Sequence, residues 1–220
     1  MRPDRPRTVV WDLPTRLFHW LTVVLLVVLY VTERLNWMGL HIWAGYILLA
    51  LIIFRLIWGF VGSDTARFSR FIAPPRKVAH HLRRIFHREP DTMVGHNPAG
   101  GWMVLFMLAL LLVQSLSGIY TNNDVANEGR WTEVVPTPIA NAISDSHTWV
   151  WDVILAAVAL HVVAIATYAA VKRHNLLVAM VTGRKALSEP CAHPRMAKPW
   201  LACLAMLIAV GITVALADFL

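Results

Sequence analysis

Five apolar stretches dominate this chain: roughly Thr15–Thr32, Leu40–Val61, Gly101–Tyr120, His147–Val171 and Pro199–Leu216. Each is close to the 17–25 residues, roughly, that an α-helix needs to cross the hydrocarbon of a bilayer. A spanning segment has no water to pair its amides, so it must satisfy them internally as a helix. The polar connections are short, which leaves no room for a sizeable soluble domain. Of the 220 residues, 57% are hydrophobic and 15% charged, whereas soluble domains run nearer about a quarter charged. The expected fold is therefore all-α and integral to a membrane. The run that follows MRPDRPRTVVWDLP continues for a full span without a small-residue cleavage site, so it reads as a retained helix and not a signal peptide.

The net charge of +7 follows the spans rather than forming a nucleic-acid patch. Lys and Arg number four up to the mouth of the first span (Arg2, Arg5, Arg7 and Arg16), one in the next connection, then seven, one and six. Basic residues are retained on the inner side. This alternation therefore predicts a multi-pass protein of a bacterial inner membrane, with a cytoplasmic N-terminus and a periplasmic C-terminus. Within the longest basic connection, Pro75–Arg88 places Val78, Leu82, Ile85 and Phe86 at helical spacing among arginines, lysine and histidines. It reads as an amphipathic helix on anionic lipid headgroups, its histidines solvated or lipid-facing. The connection Thr121–Ser146 carries Asp124, Glu128, Glu133 and Asp145, a mildly acidic outer face. Cys191 and Cys203 are expected to be free thiols, and the chain has no C-x-x-C-H for covalent haem attachment.

Four histidines, His19, His41, His147 and His161, lie in or at the mouth of these apolar segments. An ionisable ring in hydrocarbon is costly and faces the bundle interior with a partner. His147 and His161 are 14 residues apart, which is about 21 Å of rise with both rings within about 40° of one face. Counted from the outer surface, His41 and His147 begin their spans. His19 lies 13 residues inward from Thr32, and His161 lies 14 inward from His147. The arithmetic predicts an outer pair, His41 with His147, and an inner pair, His19 with His161, about 20 Å apart. Zinc-type sites gather tetrahedral clusters, whereas two pairs at two depths suit planar macrocycles with two axial ligands each. Arg55 is 14 residues after His41, so it projects at the inner level. It either meets a haem propionate or snorkels to the headgroups. Asp12 is placed to cap the first span, and Gly95-His96-Asn97-Pro98 is turn chemistry in which His96 caps or hydrogen-bonds. Gln114, Ser115, Ser117 and Gly118 suit helix packing.

These residues carry a resemblance. Val10-Trp11-Asp12-Leu13-Pro14-Thr15-Arg16-Leu17-Phe18-His19-Trp20 resembles the opening of the bacterial cytochrome b561 and nickel–iron hydrogenase b-type cytochrome superfamily. The likeness continues through His41-Ile42-Trp43-Ala44-Gly45-Tyr46, Phe54-Arg55-Leu56-Ile57-Trp58-Gly59, Gly95-His96-Asn97-Pro98 and the His147…His161 pair, over about Thr8–Lys185. It implies a four-helix transmembrane bundle with two non-covalent haem b groups, His19, His41, His147 and His161 being the axial ligands of the iron. The fifth apolar helix and the tail from about Ala186 lie outside that core. Residues 8–185 then form a di-haem cytochrome domain, and 186–220 an extension with an added transmembrane helix.

The function expected is electron transfer through two b haems, between membrane quinone or quinol and a soluble or peripheral redox protein such as a cytochrome c-like carrier or a dehydrogenase subunit. The alternative with the same haems is the cytochrome b membrane anchor of a hydrogenase or dehydrogenase complex. A third reading, from another class, is a histidine-lined metal or proton transporter without haem. Whether the chain has quinol:acceptor oxidoreductase activity of its own, and whether it forms a homodimer, stays open at this point.

Overall fold

Helices begin where the sequence supplies a cap and an apolar run. Asp12 starts α1 (Leu13–Arg34): its Oδ1 accepts the Thr15 amide at 2.8 Å, satisfying one of the donors a helix N-terminus leaves open. The structure, a computed structural model, describes residues 7–88, 90–120, 136–187 and 193–218. Its other long helices are α2 (Met38–Val61), α5 (Pro98–Ile119), α6 (Thr137–Thr167) and α8 (Pro199–Asp218). Shorter ones are α3 (Phe68–Phe71), α4 (Pro75–Arg83) and α7 (Leu176–Thr182). Among the described residues, five helices, counting the one that runs on through residue 172, are long and apolar enough to cross a membrane. Large apolar side chains such as Trp43, Phe60, Trp149 and Leu207 lie exposed on them. That is what a lipid-facing surface presents in place of a polar one.

The chain divides into two compact units. The first comprises Met1–Leu17, Ile57–Leu105 and Val158–Ala202. It contains a feature the apolar pattern does not announce, a two-stranded antiparallel sheet pairing β1 (Arg7–Val9) with β2 (Arg184–Ala186). Thr8 sits opposite Lys185, and just beyond the ladder the amides of Val10 and Trp11 donate to the Gly183 carbonyl at 2.8 and 3.1 Å. Gly183 has φ +76°, and an added Cβ would stand 2.8 Å from the Trp11 carbonyl oxygen, so glycine is required there. The second carboxylate oxygen of Asp12 accepts the Trp58 indole N–H at 3.1 Å, locking the start of α1 to the end of α2. After α2, the Ser63 hydroxyl and the Asp64 carboxylate accept the amides of Ala197 and Arg195, at 2.9 and 3.0 Å. These bonds anchor the approach to α8.

The second unit comprises Phe18–Leu56, Phe106–Ala157 and Cys203–Leu220. Helix α2 is its most buried element, with Ala44, Leu48, Leu51, Ile52 and Arg55 recurring along one inward stripe and Leu49 and Phe54 widening it. Tyr30 stacks on Trp151 at 6.1 Å, joining α1 to α6. Helix α8 buries Ala205, Ala209 and Thr213, one small residue per turn, as membrane helices do where backbones approach closely.

Three boundaries differ from the sequence expectation. Helix α6 begins ten residues before His147, since Pro138 suits a first turn and the polar stretch through Ser146 continues helically beyond the apolar run. It ends in a π-helical turn, Tyr168–Lys172, closed by Arg173 at φ 57°. The amphipathic segment is helical only over Pro75–Arg83, then runs into turns. Asp124, Glu128, Glu133 and Cys191 lie outside the described residues, whereas Cys203 is a free thiol.

Candidate functional site

His41 stands in the first turn of α2, brought back beside α1 by a tight connection in which Asn36 takes a left-handed φ of 54°. Its Nδ1 lies 3.1 Å from the Leu29 carbonyl oxygen and 3.4 Å from the Thr32 hydroxyl. A carbonyl can only accept, so Nδ1 carries the hydrogen. The Thr32 hydroxyl proton is committed to the Val28 carbonyl at 2.8 Å, which leaves its oxygen as a second acceptor. Neutral His41 therefore keeps Nε2 as the nitrogen with a lone pair.

His147 on α6 reaches the same state by a different route. Its Nδ1 is 3.0 Å from the Ser117 hydroxyl oxygen, and that hydroxyl donates to the Gln114 carbonyl at 3.0 Å. Ser117 thus accepts from Nδ1–H, and Nε2 again holds the lone pair, taking a hydrogen bond from the Gln114 side-chain amide at 3.2 Å. The buried Gln114 Oε1 has no hydrogen-bond partner among the described residues. Gly118 leaves space beside the ring, because a Cβ there would stand 3.0 Å from His147 Cε1. His41 and His147 belong to the same unit.

Both imidazoles thus present Nε2 with Nδ1–H anchored, the arrangement in which a histidine binds a metal while a neighbouring oxygen fixes its tautomer. The donor set fits a haem iron: neutral nitrogen ligands, an orphaned buried amide oxygen beside one of them, and a glycine where a side chain would crowd the ring. Among the described residues, His, Cys, Asp and Glu do not gather in threes, as a tetrahedral metal site would need.

His19 lies on α1 in the second unit, half-buried, with its ring edge-on to Trp20 at 4.9 Å. His161 is half-buried on α6 and falls in the first unit. Arg55 is 2% exposed, so its guanidinium is held inside the protein and not at the surface where headgroups would meet it. His96 is partly buried. It is packed between Trp11 and Phe71, each ring centroid 4.6 Å away. The cap of α5 is Asn97, whose Oδ1 accepts the Gly100 amide at 2.7 Å. His81 pairs with the Tyr168 hydroxyl instead of being solvated.

Thr32 is a residue that sequence reading passes over, and Ser117 and Gln114 are ones it takes first for helix packing. Gln114 and Ser117 are three apart and share a helix face, but polar residues in a span read equally well as packing contacts. Only the approach of α6 gives them a histidine to hold.

The profile of the prokaryotic cytochrome b561 family matches residues 10–183. Among curated proteins, the chain is similar to the "Probable Ni/Fe-hydrogenase B-type cytochrome subunit" of Azotobacter chroococcum, 29% identical over 209 residues that cover 79% of this chain and 86% of the relative. The protein of the same name in Bradyrhizobium diazoefficiens is 25% identical over 218 residues, covering 82% and 87%. The "Probable Ni/Fe-hydrogenase 1 B-type cytochrome subunit" of Escherichia coli is 28% identical over 145 residues, covering 52% and 60%. No solved structure matches the chain. The family match takes in α1, α2, α5 and α6 with all four histidines and Arg55, and stops before α8. With the family profile matching residues 10–183 and five apolar helices among the described residues, the chain belongs to the prokaryotic cytochrome b561 family, membrane-embedded b-type cytochromes that carry haem b.

Proposed function

We propose that this chain is the electron-carrying membrane subunit of a redox enzyme, binding two haem b groups and passing electrons between that enzyme and membrane quinone. The observation that carries the reading is the matched tautomer of His41 and His147, each with Nδ1–H tied to a fixed oxygen and the lone pair on Nε2, which on His147 accepts the Gln114 side-chain amide. In this reading they would together hold the haem at the outer level. His19 and His161 are the inner pair, a pairing supported by the depth arithmetic and by the family. Haem b, when bound, supplies a one-electron couple at the iron.

The chain's own groups do the rest. The Leu29 carbonyl and the Thr32 and Ser117 hydroxyls orient the two outer imidazoles, and the apolar spans exclude water around them. In this reading Arg55, buried on α2, would supply a cation for a propionate at the inner level. The names of the curated relatives favour a nickel–iron hydrogenase as the partner enzyme. The basic connections favour a cytoplasmic N-terminus in a bacterial inner membrane.

The test is a pyridine haemochrome assay and a reduced-minus-oxidised spectrum on the purified full chain, followed by quinol titration. Two non-covalent, six-coordinate, low-spin haem b groups per chain and reduction by quinol are expected. Fewer than about one haem per chain despite full haem supply would count against the assignment.

A further inference from the structure

Helix α4 carries more basic side chains than an unspecialised surface helix, and it is not free to roll. Arg76, Lys77, His80 and His81 fall within about 140° of arc on its surface. Together with Met93 and Pro98 they line an open pocket of about 330 Å³, a size in the range, roughly 300–1,000 Å³, that small-molecule sites occupy.

The pocket is held from behind. His81 Nε2 pairs with the Tyr168 hydroxyl, and the two rings stack. The buried Lys172 ammonium stands 5.9 Å from the centre of the Tyr168 ring. Farther along, Arg88 Nε donates to the Val171 carbonyl at 3.2 Å. The π-helical turn that closes α6 is therefore the buttress that fixes the orientation of α4. Asp91, two residues before Met93, is engaged by Lys185 at 2.8 Å and by His174 at 3.7 Å.

We propose that this pocket binds the phosphate of an anionic membrane lipid. Three observations select a lipid over a soluble anion. Pro98 is the first residue of α5, a membrane span, so the pocket opens where that span ends, at headgroup depth. Met93 and Pro98 give the cationic pocket an apolar wall of the kind a glycerol backbone and upper acyl chain would meet. Leu82 and Phe86, 48% and 74% exposed, offer the same segment an apolar purchase on the acyl region. Arg76 and Lys77 supply the charge-assisted hydrogen bonds to phosphate oxygens, and His80 adds a further donor.

The test is native mass spectrometry of the full, haem-loaded chain in detergent, titrated with phosphatidylglycerol, with phosphatidylcholine, or with inorganic phosphate. The paired variant Arg76→Gln with Lys77→Gln is compared with Arg83→Gln and Arg84→Gln, an equal charge change outside the pocket. The expected result is preferential retention of phosphatidylglycerol, weakened about tenfold or more by the pocket pair and little by the control pair. The haem spectrum of both variants should stay that of the parent. Equal weakening by the two pairs would mean diffuse surface attraction and overturn the site. Retention of inorganic phosphate without preference between the two lipids would overturn the lipid as its occupant.

Discussion

If His147 holds an outer haem as proposed, Ser117→Ala should raise the potential of that haem and leave the inner one in place. Ser117 Oγ accepts the Nδ1–H of His147 at 3.0 Å, with its own proton spent on the Gln114 carbonyl. That bond draws the ring proton outward and makes Nε2 a stronger donor, which favours the ferric iron over the ferrous one. Removing it takes away a neutral hydrogen bond with a net worth of about 0.5–1.5 kcal/mol. If the whole of that is felt differently by the two oxidation states, a one-electron couple moves by about 20–60 mV, at about 59 mV per tenfold change in equilibrium constant. Ser117→Thr, which keeps a hydroxyl, should move it far less. The assay is a potentiometric titration followed in the α-band, where the components are resolved by potential. A downward shift, equal movement of both components, or the same shift with threonine as with alanine would refute the reasoning.

The haems should also separate by level: His41→Ala or His147→Ala should disturb one potentiometric component, and His19→Ala or His161→Ala the other. The pairing is wrong if His19→Ala and His147→Ala affect the same component while His161→Ala spares it. Arg55→Ala should lower the potential of the inner component more than the outer, because loss of a nearby cation disfavours the reduced state, and redox titration reads this directly. Asp12→Ala should destabilise the protein by about 2–4 kcal/mol, combining a lost N-cap with a buried indole N–H left without its acceptor. Thermal unfolding in detergent measures that loss, and an unchanged midpoint would show the Asp12–Trp58 bond to be dispensable. Reporter fusions should place the segment of α4 in the cytoplasm and the C-terminus in the periplasm; the opposite result would exchange the inner and outer levels.

The sequence determined the features that depend on local composition. A span must be apolar for about twenty residues, so the five membrane helices are visible as runs, and α2 and α8 lie close to their expected limits. Ionisable rings are expensive in hydrocarbon, so His19, His41, His147 and His161 stand out without any structure. Asp12 signals the start of α1 because a cap acts within a single turn. Tertiary structure decided whatever depends on residues far apart in the chain. β1 is too short to show an alternating pattern, and it becomes a strand only because Arg184–Ala186 arrives to pair with it. Ser117 and Gln114 look like packing residues until α6 brings His147 within 3.2 Å of them. Arg55 could have reached for headgroups or turned inward, and its burial on α2 settles the direction. His81 could have been solvated, but the π-helical turn at the end of α6 sets Tyr168 against it. Apolar periodicity and capping are written within one helical turn, whereas the partner of a polar side chain is fixed by which other segment packs beside it.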